Sequence, residues 1–466
     1  MLMITLKKEW LESKREGRTM WLGAIVLLLL AGALFSSWHG YQQLQSQKQQ
    51  VSQSERERWL NQGAKGPHAA AHYGVYIIKP DPPLAVLDPG LSDYQGSVLR
   101  LEAHKKNDTL FRPIQDAIPM QRFGNLNPAF IIQVLLPLLI VLFGFHSIAA
   151  ERESGTLKQL LANGVSAKKL FMAKVASLTG LGLLFLLPVA LYLLVSLLLT
   201  DSLDPGRSVL FAVSYGLYIL LWSLLTIIVS SYAWTTRNAL IALLVIWCAV
   251  CLLIPKFTIE DAVHRYPTES AQVFQSKLES EVYTPQRQQA IARFKQETLA
   301  EYGVDDVADL PFAWSGAQLQ FGEQYSDKVF DRLFGQRQSQ LEAQSQHYQV
   351  GALFSPFIAL QTLSMAAAGT DLLHHQLFNQ AGEKHRRLMQ KTLNNDLKDN
   401  GADNAHGYQG DHHLWQKIPA FHYQYPHITS LMANYAWAAL SLLQWLVTLA
   451  VATYLAMRRI EKEGQQ

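Results

Sequence analysis

Residues 129–170 read AFIIQVLLPLLIVLFGFHSIAA and then, without a gap, ERESGTLKQLLANGVSAKKL. The first part, Ala129–Ala150, contains no Asp, Glu, Lys or Arg. A helix rising 1.5 Å per residue needs about 20 apolar residues to cross roughly 30 Å of hydrocarbon. Ala129–Ala150 meets that length, and Pro137 and Gly144 within it are tolerable where neighbouring helices re-satisfy the backbone. The charges beginning at Glu151 end the span and start a short amphipathic segment that breaks at Asn163-Gly164, with Leu157, Leu160 and Leu161 facing lipid or a partner groove and Glu151, Arg152 and Glu153 facing water.

Five more stretches satisfy the same test: Met20–Trp38, Leu170–Thr200, Val209–Ser230, Ala239–Ile254 and Leu431–Met457. Of the 466 residues, 17% are charged and 49% hydrophobic, against about a quarter charged in a soluble domain. The expected fold is a mainly α polytopic membrane protein with six transmembrane helices and two extracytoplasmic domains, the first α+β and the second mostly helical. The divisions are an amphipathic N-terminal segment 1–19, spans 20–38, 129–150, 170–200, 209–230, 239–254 and 431–457, external blocks 39–128 and 255–430, a short external loop 201–208, cytoplasmic segments 151–169 and 231–238, and a tail 458–466. Small residues at Ala31-Gly32-Ala33 admit a cleaved signal peptide, but the apolar run continues to Phe35 and Trp38, which favours a retained helix.

Lys and Arg fix the orientation. Lys7, Lys8, Lys14, Arg15 and Arg18 precede the first span; Arg152, Lys158, Lys168 and Lys169 follow the second; Arg237 follows the fourth; Arg458, Arg459 and Lys462 follow the sixth. Six crossings put all four segments on one side, the cytoplasm, which gives a multi-pass protein of a bacterial inner membrane with both termini inside.

In the first block, Tyr41–Gln62 extends span one as a helix, Tyr73–Ile78 reads as a strand, and Lys79–Pro89 as extended chain. In the second, Ile259–Tyr302 (broken at Pro285), Gln318–Tyr348 and Asp371–Lys398 read as helices, with an apolar patch at Leu353–Leu360 and a loop at Asp399–Asp411. Cys248 and Cys251 sit inside an apolar run and read as buried small hydrophobes. All histidines but His146 lie in the blocks, among them His374, His375, His412, His413, His422 and His427. Without an HExxH pair or a cysteine partner they read as surface residues, and no metal site is assigned.

The net charge of +3 is too small to point to nucleic acid. No GxxxxGK[ST] loop or GxSxG occurs, and the ionisable residues within spans, Lys174 and His146, lie near the cytoplasmic edge. The chain therefore carries neither a nucleotide-phosphate cradle nor a proton relay. It is not expected to be an enzyme.

The run Glu151-Arg152-Glu153-Ser154-Gly155-Thr156-Leu157-Lys158-Gln159-Leu160-Leu161 resembles the E-R-E-x-G-T-L-x-x-L-L stretch of ABC-2-type transporter permeases. Asn127-Pro128-Ala129-Phe130, Ser355-Pro356 and Ala368-Gly369-Thr370-Asp371 are similar to the subfamily with a long extracytoplasmic insertion before the last span. His146 and Gly164 depart from the pattern, the latter where proline is frequent. The resemblance implies that Glu151, Arg152, Glu153, Gly155, Thr156, Leu157, Leu160 and Leu161 form a coupling helix for a separate ATPase. It implies two ATPase copies, a second permease (a homodimer or a sister chain), and ATP and Mg on the ATPase, with no cofactor in this chain. A periplasmic partner would engage the external blocks. A membrane-anchored scaffold or assembly factor, and a membrane sensor, are the alternatives, separated from transport by co-purification with an ATPase. Tyr192, Ser196, Tyr218, Trp222, Ser223, Thr226 and Gln444 are the polar and aromatic span residues available to line a path.

Overall fold

A computed structural model describes residues 17–112, 126–200, 203–401 and 407–465; the amphipathic reading of Leu2–Arg18 lies almost wholly outside them. Helix α1 (Gly17–Leu60) is one helix of 44 residues, apolar to Trp38 and Gln-rich beyond. At 1.5 Å per residue it is about 66 Å long, twice the hydrocarbon thickness, so its second half stands clear of a membrane that its first half spans. There follow α2 (Pro67–Tyr73), β1 (Val75–Ile78), β2 (Val98–Glu102) and β3 (Lys105–Lys106), the strands pairing antiparallel in the order β1-β2-β3 with Ile77 opposite Leu99. The strand read at Tyr73–Ile78 begins only at Val75, and the chain read as extended at Lys79–Pro89 contains a 3-10 turn at Pro83–Val86.

Helix α3 (128–144) starts with Asn127 accepting from Phe130 N at 2.8 Å and Pro128 in the first turn. Short helices α4 (Ala149–Glu153) and α5 (Thr156–Ala162) lead into α6 (Ala167–Leu184) and α7 (Leu187–Leu199), then α8 (Pro205–Tyr232) and α9 (Thr236–Arg265). Among the described residues, five helices are long and apolar enough to cross a membrane, and the α6–α7 pair, bent by 52°, makes a sixth if counted as one broken span. The bend falls at Phe185-Leu186, ahead of Pro188 in the first turn of α7, whose missing N–H and ring clash with the carbonyl four residues back end the helical ladder.

The prolines in the other spans show how the lost bonds are replaced. Pro137 cannot donate to Gln133, and a π turn at Ile131–Leu135 widens the helix there; Tyr218 OH donates to the Gln133 carbonyl at 2.9 Å instead. Ahead of Pro255 a π turn spans Ala249–Leu253, and Ser355 Oγ donates to Val250 O at 2.7 Å. Cys251 is buried beside Tyr218, and both cysteines are free thiols.

The remaining helices of six residues or more among the described residues are α10 (Ala271–Val282), α11 (Pro285–Tyr302), α12 (Trp314–Val350), α13 (Pro356–Ala368), α14 (Leu372–Asn400), α15 (His412–Lys417) and α16 (Ala436–Gln465). The helical run read across Ile259–Tyr302 is interrupted near Pro267 as well as at Pro285. Helix α13 falls within the stretch that the sequence assigned to the second block. The apolar patch assigned to the second block is the start of a nearly fully buried helix that packs on α8 and α16 inside the membrane bundle. Its carbonyl end is held by Arg207, whose guanidinium donates to Ala366 O at 2.9 Å and Pro426 O at 2.7 Å.

The two polar blocks share a core and together make one polar body. Trp59, Ala70, Ile77 and Leu99 share a core with Phe378, Met389, Leu393, Leu414 and Trp415. Trp59 Nε1 donates to Trp415 O at 3.0 Å, joining the end of α1 to α15 across most of the chain.

Candidate functional site

The segment between α3 and α6 is built from the span ends around it. Ser230 Oγ on α8 accepts from Ile148 N at 3.0 Å and Ala149 N at 3.1 Å, satisfying orphan donors at the start of α4. The three charged residues that follow then reach three different places. Glu151 Oε1 lies 3.0 Å from Lys174 Nζ on α6. Arg152 Nε lies 3.0 Å from Glu463 Oε2 on α16, and its Nη1 donates to Ala233 O, just past α8, at 2.8 Å. Glu153 Oε2 accepts from both Thr236 N and Thr236 Oγ1 at 3.0 Å, a carboxylate at the N-terminus of α9. Glu-Arg-Glu is thus a joint that fastens α4 to α6, α8, α9 and α16.

This differs from the expectation that all three charges face water. Glu151 and Arg152 are partly buried and turned into their own chain, and Glu153, though exposed, is engaged by α9. The apolar ridge is also turned inward: Leu157 is 2% exposed in the core that holds Ala456 and Ile460, and Leu160 and Leu161 pack against that core. What α5 offers to its surroundings is the opposite face, Thr156, Lys158, Gln159, Ala162 and Asn163. The 3–4 spacing of the leucines marks these positions as the outer face, yet only Thr156 was in the residue set drawn from the motif.

Gly155 (φ +78°) and Gly164 (φ +81°) bracket α5 in the left-handed region. A Cβ at either would meet nothing, so the glycine is required by the backbone angle and not by space. Proline, fixed near −65°, does not fit the turn at Gly164, so the departure from the family pattern reflects a different local turn.

The residues considered for a path are mostly packed away. Tyr218, Trp222, Ser223 and Thr226 are buried within the bundle. Gln133 Nε2 donates to Tyr215 OH at 2.7 Å, and Tyr215 OH pairs with Ser364 Oγ at 2.8 Å, linking α3, α8 and α13 through a buried polar chain that ends at Asp88. Ser196 is buried, Tyr192 OH donates to Pro83 O at 2.7 Å, and Gln444 lies on an exposed face of α16.

A sequence model of the family described as ABC-2 family transporter protein matches residues 111–276, which include α3 to α9. A second, described as Domain of unknown function (DUF3526), matches residues 262–424, which include α10 to α15. No curated protein matches the chain significantly. The first match spans the apolar helices from α3 to α9 and the Glu-Arg-Glu segment, but not α1 or α16; the second fills the stretch before the last apolar helix. The chain is a multi-pass membrane protein whose residues 111–276 match the ABC-2 transporter family, with the second matched domain lying ahead of its final helix.

Proposed function

We propose that this chain is the membrane half of an ATP-driven exporter, and that its ATPase docks on the 151–169 segment. The observation that carries this reading is the joint between α4 and four helices. A push on α5 cannot be absorbed locally, because Glu151, Arg152 and Glu153 tie its neighbour α4 to α6, α8, α9 and α16. The exposed face of α5, with Lys158, Gln159 and Ala162, is the surface on which a partner pushes. ATP and Mg2+ bind the partner, since this chain has no phosphate-cradling loop. Two permease halves and two ATPases make the working unit. Closure of the ATPases drives the halves between inward- and outward-facing states through differential nucleotide affinity. The polar body, on the far side of the membrane, gates the exit or meets a periplasmic partner.

Co-expression with a candidate ABC ATPase from the same genome is the direct test. The ATPase is expected to stay bound through purification and to hydrolyse ATP in the complex, while the chain alone binds no nucleotide. Saturable ATP binding by the chain alone removes the division of labour. Orientation is tested separately: reporters fused after Arg237 and Arg459 are expected on the cytoplasmic side, and those after Gly66 and Gln340 on the other. A cytoplasmic signal at Gln340 contradicts the six-span arrangement.

A further inference from the structure

Three histidines distant in sequence from the membrane motif converge in the polar body. Helix α2 starts at Pro67 and stops at Gly74, whose φ of +66° and close approach to Leu101 O leave room for no side chain. This short helix places His68 and His72 one turn apart on one face. The two-residue turn between β2 and β3 carries His104 beside them. His68 Nε2 and His72 Nε2 are 3.2 Å apart, and one ligand nitrogen from each of the three rings lies within 4.8 Å of the others.

These spacings match a shared ion. Two imidazole nitrogens each 2.0–2.1 Å from one tetrahedral zinc are about 3.3 Å apart, and the ring centres are then about 5.2 Å apart. The ring centroids of His68, His72 and His104 form a triangle of 4.6, 5.2 and 5.2 Å.

The third ring is held in place by a carboxylate. His104 Nδ1 lies 2.6 Å from Glu323 Oε1 on α12, and the same oxygen accepts from His104 N at 2.8 Å. Glu323 is 2% exposed and is itself fixed by Arg386 at 3.0 Å. A carboxylate on one ring nitrogen sets the tautomer that leaves the other as a ligand, the usual support of a metal-bound histidine. His104 also has a φ of +62°, an uncommon angle for a residue with a side chain. Such angles persist where the surroundings over-determine them and cluster at functional sites.

We infer that His68, His72 and His104 form a binding site for a divalent first-row transition ion of the zinc class, with the fourth position taken by water and Glu323 as the supporting carboxylate. Such an ion clamps α2 to the β2–β3 turn and, through Glu323, to α12, tying the first polar block to the second. His72 is exposed, which gives the ion a way in from solvent. The pattern was visible in the sequence as His-x3-His at 68 and 72, but the third ligand came only with the β2–β3 turn.

The test uses the full-length chain in detergent, with no histidine tag, stripped with a chelator and titrated calorimetrically with ZnCl2. The expected result is one equivalent of zinc bound in the micromolar range or tighter. His72→Ala, at an exposed position that the fold does not need, is expected to weaken binding at least 100-fold. Glu323→Gln is expected to weaken it about 10–100-fold. His412→Ala/His413→Ala, at the exposed pair on α15, is expected to leave it unchanged. No binding by the parent chain up to millimolar zinc, or equal affinity in His72→Ala, overturns the site.

Discussion

Replacing Arg386 by alanine is expected to cost about 3–5 kcal/mol and to unfold the polar body at a temperature where the parent chain is intact, because it strips the cation from a buried cluster of acids. Arg386 is 1% exposed on α14. Its Nη1 lies 3.0 Å from Glu323 Oε2, its Nε donates to Glu383 Oε2 at 2.9 Å, and its Nη2 reaches Glu383 Oε1 and Asp327. The planar fork is what allows one side chain to serve three carboxylates from two helices, so Arg386→Lys is expected to recover only part of the loss. Arg387 pairs with Asp331 and Glu383 but is one third exposed, and Arg387→Ala is expected to cost no more than about 1 kcal/mol. Near-UV circular dichroism during heating, with limited proteolysis of the α12–α14 region, measures all three. A melting temperature for Arg386→Ala within a degree of the parent contradicts the account.

The same cluster sets a sign for pH. Burial alone pushes Glu323 and Glu383 up, but the His104 hydrogen bond and then the Arg386 guanidinium hold Glu323 below the ordinary value of 4.5, and Arg386 with Arg387 does the same for Glu383. Their contribution is therefore present above pH 4.5 and is lost as pH falls through the lower folded values. Asp327 goes the other way, since burial outweighs its two arginines and raises it. In Arg386→Ala the glutamates lose the cation that keeps them ionised. The difference in stability between parent and variant is expected to be largest near neutrality and to shrink below pH 4.5.

What the sequence made legible was what depends on neighbours along the chain. The six apolar stretches lie mostly in helix, with non-helical turns at 145–148 and 185–186, and the motif fragments turn out to be helix punctuation. Asn127-Pro128 and Ser355-Pro356 start α3 and α13, Gly369 ends α13 at φ +73°, and Asp371 caps α14 by accepting from His374 N. What was not legible depends on residues far away. Helix α13, at 13 residues, is too short to read as a span, and only its packing on α8 and α16 reveals that it belongs to the bundle. Strand β2 is five residues whose partner β1 is more than twenty positions earlier. The Glu-Arg-Glu charges looked solvated because Ala233, Thr236 and Glu463 are 81, 83 and 311 residues away from their partners. A charged tripeptide after a span is ordinarily a wet one; this one is turned inward by contacts that only the fold supplies.

That inward turn separates two kinds of substitution in and just after the eleven-residue motif, and the largest functional effect is expected from the residues the motif does not emphasise. Ala162→Asp and Lys158→Glu alter the exposed face of α5 without touching the joint or the buried Leu157. Both should insert and fold like the parent yet retain at least 10-fold less ATPase through purification, a loss of about 1.4 kcal/mol or more at an interface position that matters. Glu151→Lys acts differently. It sets a second ammonium beside Lys174, which is 3% exposed, and Leu157→Asp places a carboxylate in an apolar core. Like charges and unpaired acids in such places cost several kcal/mol, so these variants should fail in folded yield before coupling is ever read. Size-exclusion profile and folded yield, measured beside ATPase retention and hydrolysis in the complex, distinguish the two classes. If Ala162→Asp and Lys158→Glu hold the ATPase as the parent does, the docking surface is elsewhere. If Glu151→Lys folds normally and loses the ATPase selectively, Glu151 is an interface charge, and the joint does not transmit the push that the proposed mechanism assigns to it.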